Sequence, residues 1–120
     1  MANPVEVTIT ATGFSPCAVT LYKSNPGATR PNSVKLTNNA TQDAIFNFST
    51  AASYLATTAP PNNSNPAGPN TTIPAGQSVT LWVKDTAQVG NGYSSEYSIT
   101  INSNSLSCTT QDPPDMVIEP

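Results

Sequence analysis

The residues best suited to chemistry in this 120-residue chain are carboxylates near its end, in the segment DPPDMVIEP. Asp112, Asp115 and Glu119 lie close together there, and paired carboxylates perform the acid–base work of glycosidases. Carboxylate oxygens also bind calcium, with Asp43 or Asp85 as further ligands, although the spacing fits no EF-hand loop. Seven carboxylates scattered over a small chain are usually solvated charges. We therefore predict no enzyme, keep a carboxylate-pair enzyme as an alternative, and leave calcium binding open.

The same ending has a structural interpretation. Pro113 and Pro114 cannot donate backbone hydrogen bonds, so no central strand runs through them. A final strand is expected to begin at Asp115 or Met116 and to stop at Pro120. Asp112 precedes a proline, which favours an extended backbone, and its carboxylate is expected to fix the turn.

Several chemistries are excluded by composition. The chain has no histidine, which removes the Ser-His-Asp arrangement and the copper site of blue copper proteins. Two cysteines cannot complete a zinc site, and there is no glycine-rich phosphate loop. We therefore predict no cofactor and no metal centre of copper or zinc.

The charges and the hydropathy limit the partners. The net charge is −3 and the four cations form no run, which argues against a nucleic acid. No segment has the length of apolar residues needed to insert into a membrane. The start, MANPVEVTIT, lacks the regions of a signal peptide, so either the protein stays in the cell or a mature chain begins after an added Met1.

The two cysteines, Cys17 and Cys108, have two interpretations. They are either small buried side chains in a reducing compartment or one disulfide that ties an early strand to the region before the last strand. We favour the disulfide, which by the chain-entropy model would stabilise the fold by about 4 kcal/mol. A disulfide would in turn indicate an extracytoplasmic location.

Apolar residues alternate with polar ones in seven segments, which is the pattern of half-buried strands. The alternation predicts the following inward-facing side chains: Val5, Val7, Ile9, Ala11, Val19, Leu21, Val34, Leu36, Phe46, Phe48, Val79, Leu81, Val83, Tyr97, Ile99, Ile101, Met116 and Ile118. Turn-forming segments rich in Gly, Pro and Asn separate them. The only helical candidate is one turn at residues 50–55.

We therefore predict a single all-β domain over residues 1–120. It is an antiparallel β-sandwich of about seven to eight strands, immunoglobulin-like or cupredoxin-like, with little or no helix. A long Pro/Asn-rich loop at residues 57–72 has little to bury. This loop is either disordered, a connection between sheets, or a binding loop.

Three aromatic residues are the candidate binding residues. Trp82 alternates with Leu81 and Val83 and should point away from the core, where an indole can stack on a sugar ring or on a protein partner. The alternative is that Trp82 is covered. Tyr22 also alternates outward, and Tyr93 lies in a glycine turn. Trp82 and Tyr22 form one patch only if their strands are neighbours.

Two resemblances add to this interpretation. IPAGQSVTLWV followed by GNGYSSEYSITI is similar to the closing strands of a cupredoxin, but no copper ligand is present. Asp112-Pro113, Met116–Ile118 and Glu119-Pro120, with the strand YSITI upstream, resemble the DP-EP family of small bacterial proteins of unknown function. That resemblance covers roughly the last 30 residues. It implies a small β-sandwich and no particular activity.

The sequence thus predicts a non-catalytic β-sandwich that acts as a binding or structural module. Its partner would be a protein or a glycan. The alternative function is a carbohydrate-binding module that uses exposed aromatic residues.

Overall fold

The computed structural model describes residues 3–108 and 113–120. These residues form strands and one helical turn, α1 (Ala51–Tyr54), which lies where the single turn of helix was predicted. The strands are β1 (Val5–Ile9), β2 (Gly13–Ser15), β3 (Val19–Tyr22), β4 (Ser33–Asn38), β5 (Ala44–Asn47), β6 (Leu55–Ala56), β7 (Asn70–Ile73), β8 (Ser78–Val83), β9 (Tyr93–Glu96), β10 (Ser98–Ile101), β11 (Asn104–Ser105), β12 (Ser107–Cys108) and β13 (Asp115–Glu119). The all-β class is confirmed.

The predicted strand count is wrong, because the described residues contain thirteen strands rather than seven or eight. The seven alternating segments correspond to β1, β3, β4, β5, β8, β10 and β13. The remaining six strands are only two to four residues long. An alternation with a period of two residues cannot be recognised over two or three residues, and the four-residue strands β7 and β9 do not alternate apolar with polar residues.

The strands form three sheets. The largest has the order β12-β2-β1-β4-β8-β6, and the smaller two are β11-β10-β5-β7 and β3-β13-β9. The prediction of purely antiparallel pairing is wrong, because β1 runs parallel to β4, β2 to β12, and β3 to β13. Two parallel neighbouring strands must be joined by a crossover connection rather than a hairpin. Here the connecting segments contain strands that belong to the other sheets.

One core cluster draws side chains from all three sheets. Nearly all the predicted inward positions are buried there, and Val5 and Val79 pack against the cluster while partly exposed. Ala11 is an exception: it is exposed because β1 ends at Ile9 and the chain turns. Burial of each large aliphatic side chain contributes about 1.5–3 kcal/mol before ordering costs.

Tyr97 lies at the centre of this core, between β9 and β10. Its ring contacts Phe46 of β5 at 5.2 Å and Phe14 of β2 at 5.9 Å between centroids. The strand path β9–Tyr97–β10 therefore joins the two smaller sheets, and Phe14 connects that junction to the largest sheet. Next to it, Cys17 and Cys108 are paired at disulfide distance, with Cα atoms 5.5 Å apart.

The long loop is a connection between sheets, which was one of the alternatives. It leaves β6 at the edge of the largest sheet and reaches β7 at the edge of the four-stranded sheet. Because β7 begins at Asn70, the loop covers residues 57–69 rather than 57–72. Asn63 anchors it: this buried side chain donates to the Val83 carbonyl at 2.8 Å and accepts from the Asp85 amide at 2.8 Å.

Within the described residues, no helix has the length and apolar character needed to cross a membrane.

Candidate functional site

Trp82 lies on β8, between β4 and β6 of the largest sheet. Its neighbours along the strand, Leu81 and Val83, are buried in the core, so the alternation turns the indole to the opposite, outer face. It is paired in register with Ser33 on one side and Ala56 on the other. Trp82 is half-buried and is not part of the core cluster, as the alternation predicted.

Around Trp82 lies a cleft of about 540 Å³, here called the Trp82 cleft. Its lining residues are Pro4, Pro26, Gly27, Ala28, Asn32, Ser33, Pro60, Thr80 and Trp82. None of these side chains carries a charge. One wall is the turn between β3 and β4, and Pro60 of the long loop also lines the cleft. The cleft therefore offers an aromatic ring, apolar proline edges and a few neutral polar groups.

The polar side chains of the Trp82 cleft have no hydrogen-bond partner in the described part of the chain. This holds for the Asn32 amide, the Ser33 and Thr80 hydroxyls and the Trp82 indole N–H. None of these atoms is fully enclosed, but Ser33 is buried, with only 4% of its surface exposed, so Asn32, Thr80 and Trp82 are the more accessible of the four. Hydrogen-bond donors and acceptors that are accessible and unpaired beside an aromatic ring are the groups that orient a small ligand.

Arg30 stabilises the turn between β3 and β4, which forms one wall of the Trp82 cleft. Gly27 and Arg30 exchange two backbone hydrogen bonds of 3.1 and 3.0 Å. The Arg30 guanidinium lies 4.4 Å from the centre of the Tyr22 ring, and it donates to the carbonyl oxygens of Ser24 (3.2 Å) and Pro120 (3.0 Å). Tyr22 therefore supports the wall of the cleft from outside and does not line it.

The three predicted aromatic residues are not brought together. Tyr22 lies on β3 and Trp82 on β8, which belong to different sheets, so the condition for a joint patch is not met. Tyr93 begins β9 and stacks on Tyr54, with ring centroids 3.9 Å apart and an angle of 15° between the planes. Its hydroxyl is 2.8 Å from Thr50 Oγ1. Tyr93 thus fastens α1 to β9.

No protein-family model matches this chain, and no curated protein matches it.

The carboxylates are distributed over several places. Asp115 and Glu96 lie directly opposite each other on β13 and β9, which puts both side chains on one face. Glu119 lies opposite Tyr22 on β3. Asp43 and Asp85 each accept a loop backbone N–H, from Ala75 and Asn62.

Asp112 lies outside the described residues, so its role in the turn stays a prediction. In residues 3–108 and 113–120, no three His, Cys, Asp or Glu side chains are grouped to hold a metal ion.

A second groove, of about 480 Å³, lies on the smaller sheets and includes Glu96, Tyr97 and Pro114 in its lining. Asp115 does not line it. The cross-strand pair of Asp115 and Glu96 is therefore not enclosed in a common cleft.

The alternation along β8 predicts the outward direction of Trp82 but not the residues that surround it in the cleft. Thr80 carries a usable signal, because it lies two positions before Trp82 on the same strand face. Pro4, Pro26 and Pro60 reach the cleft from three separate segments, and nothing in their local sequence marks them.

Proposed function

We propose that this chain is a non-catalytic binding module and that its ligand, a neutral glycan, occupies the Trp82 cleft. The observation that carries the proposal is the half-buried indole of Trp82 in an uncharged cleft whose polar groups are unpaired. The apolar face of a sugar ring stacks on an indole, and its hydroxyls both donate and accept hydrogen bonds. Asn32 and Thr80 supply complementary groups beside the ring.

The lack of charge in the cleft also supports a neutral ligand. A phosphorylated or acidic ligand is normally held by Arg or Lys, and a cationic one by carboxylates or a cluster of aromatic residues. The lining contains neither kind of charge and a single aromatic residue. A protein partner would require a larger surface than this cleft provides, about 800 Å² on each side.

A panel of neutral polysaccharides tests the proposal directly. Trp82 is the only tryptophan in the chain, so its fluorescence reports on the cleft without interference. We expect at least one polysaccharide to retain the protein and to change this fluorescence. Trp82→Ala should lower the affinity at least about tenfold, which corresponds to about 1.4 kcal/mol.

The matched control removes an exposed apolar side chain elsewhere. Ile45 is 36% exposed on β5, in a different sheet, so Ile45→Ala should bind like the parent. Retention of Trp82→Ala at the parental level, or retention of no protein by any member of the panel, would contradict the proposal. Binding of a protein instead of a polysaccharide would support the interaction-module alternative.

The carboxylate-pair enzyme is kept as the second candidate because of one observation, the direct opposition of Asp115 and Glu96. If these residues hydrolyse a glycan, the protein should release new reducing ends from the polysaccharide it binds. A Glu96→Gln/Asp115→Asn variant should abolish that release. We expect no release from the parent, because the pair lies away from the Trp82 cleft.

The fold that presents the cleft is, we propose, a two-layer β-sandwich of the cupredoxin-like or immunoglobulin-like type, with the smaller sheets packed on the largest. The shared core cluster and the contact of Phe14 with Tyr97 support this arrangement. Membership of the DP-EP family stays a proposal that rests on the sequence ending. An experimental structure in which the sheets do not pack face to face would rule out the sandwich.

A further inference from the structure

We infer that the glycan is an extended chain that continues from the Trp82 cleft over the outer surface of the largest sheet, where it is held by a row of hydroxyl groups. This row, here called the hydroxyl row, consists of Thr8, Thr37 and Ser78. The inference rests on the proposed function and specifies its ligand as an oligosaccharide or polysaccharide rather than a single sugar.

The strand register places the hydroxyl row and Trp82 on the same face. Thr8 pairs with Thr37, and Thr37 pairs with Ser78, so the three hydroxyls cross β1, β4 and β8 side by side. Neighbouring strands are about 4.8 Å apart, which sets the spacing of the row. Ser78, Thr80 and Trp82 occupy alternate positions of β8 and therefore project from one surface.

The hydroxyl row is accessible and partly preorganised. Thr8 and Ser78 are exposed, and Thr37 is half-buried. The hydroxyls of Thr37 and Ser78 are 2.8 Å apart and fix each other's orientation. The Thr8 hydroxyl has no partner in the described part of the chain. Hydroxyls that are already oriented lose less freedom when a ligand binds.

The charge of this surface fits a neutral chain. Between the hydroxyl row and Trp82, the same face carries Glu6, Lys35 and Thr80, which are paired in register across β1, β4 and β8. Glu6 and Lys35 are opposite charges on adjacent strands, so they compensate each other. Trp82 lies four positions after Ser78 on β8, a distance of about 13 Å at the usual rise of a strand. A single sugar ring is too short to contact both ends.

The test compares ligands of different length. Calorimetry measures the affinities of cello-, xylo-, malto- and chito-oligosaccharides, from disaccharide to hexasaccharide, for the parent, Trp82→Ala and Thr8→Ala/Ser78→Ala. The affinity of the parent should rise with chain length. Thr8→Ala/Ser78→Ala should leave the disaccharide affinity unchanged and lower the hexasaccharide affinity by at least about fivefold, which is the usual effect of losing one hydrogen bond.

The matched control is Thr72→Ala/Ser94→Ala, which removes two exposed hydroxyls from β7 and β9, in the other sheets. It should bind every ligand like the parent. A parental affinity independent of chain length would overturn the extended site and leave the proposed function intact. An equal loss for disaccharide and hexasaccharide, or an equal loss in the control, would also overturn it. Unchanged binding by Trp82→Ala, or no binding by the parent, would overturn both proposals.

A measurement on the parent alone covers the case in which a variant unfolds. In amide NMR spectra, the hexasaccharide should shift the signals of Thr8, Thr37 and Ser78, whereas the disaccharide should shift only signals of the Trp82 cleft. Identical shifts with both ligands would contradict the extended site.

Discussion

The hydroxyl of Tyr97 donates a hydrogen bond to the backbone carbonyl oxygen of Cys17, 2.5 Å away, across 80 positions of the sequence. The bond ties the junction of the two smaller sheets to the segment between β2 and β3. It lies in the core, since Tyr97 and Cys17 are both buried. A buried tyrosine with a distant backbone partner fixes how the sheets meet.

Tyr97→Phe should lower the free energy of unfolding by about 1–2 kcal/mol, because it removes this buried hydrogen bond and keeps the ring contacts. Tyr54→Phe is the control, since the Tyr54 hydroxyl has no partner in the described part of the chain. Its effect should stay within about 0.5 kcal/mol. Chemical denaturation measures both, and a Tyr97→Phe variant as stable as the parent would show that the bond contributes nothing.

Tyr97 should also make the fold sensitive to alkali. Burial raises the pKa of its hydroxyl well above the ordinary value, and the negative charge of Asp115 raises it further. The folded state then retains this proton after the unfolded state has lost it. The protonated Tyr97 hydroxyl therefore contributes fully to the free energy of unfolding below about pH 10. This contribution is lost as the pH rises further, by up to about 1.4 kcal/mol per pH unit.

Denaturation of the parent and of Tyr97→Phe between neutral and strongly alkaline pH isolates this effect. All other side chains are the same in both proteins, so the difference between the two curves belongs to Tyr97. We expect the stability of the parent to fall more steeply than that of the variant. Parallel curves would mean that the hydroxyl is not protected by the fold.

Cys17 and Cys108 should be oxidised in the folded protein. A thiol titration of unfolded, unreduced protein should find no free thiol. In mass spectrometry, the mass of the protein should increase only after reduction, when each sulfur gains a hydrogen atom. Loss of the cross-link in Cys17→Ser/Cys108→Ser should cost about 4 kcal/mol or more on the chain-entropy model, because the cysteines are 91 positions apart. Two free thiols before reduction would contradict the prediction.

The last strand should be essential for folding. Met116 and Ile118 are both fully buried on β13, which pairs with β3 and β9. Met116→Ala and Ile118→Ala should each cost about 2–5 kcal/mol, a large part of the roughly 5–15 kcal/mol that stabilises such a domain. Deletion of residues 116–120 should unfold the chain, whereas Glu119→Gln should change its melting temperature little. A truncated protein that melts like the parent would contradict this role.

The fold could be predicted where the strands are long enough to show a pattern. Val34 and Leu36 of β4 alternate with polar residues, and the core side follows directly. By contrast, β7 buries only Ile73 among four residues, so the sequence pattern predicts a loop over its first three residues. The parallel partners of β1 and β3 were also not predictable, because pairing between distant strands depends on packing that no local pattern records.

For the candidate site, the orientation of Trp82 could be predicted, but the residues that form the walls of its cleft could not. The outward direction of Trp82 follows from the burial of Leu81 and Val83 on either side. The walls of its cleft do not follow from any alternation, because Pro26 and Pro60 come from loops whose path is set by distant anchors, Arg30 and Asn63. The alternation on β3 likewise predicts an outward side chain for Tyr22, but nothing in it predicts that Arg30 lies over the ring.

The pairing of Cys17 with Cys108 has a consequence for proteolysis. The segment between these cysteines includes the connection of residues 57–69, whose exposed stretches are the places where proteases cut most readily. When the cross-link is formed, a cut in this connection releases no fragment, because the two pieces remain joined through sulfur. The nicked domain would behave as a two-chain molecule, and its complete digestion would require a reductant as well as a protease.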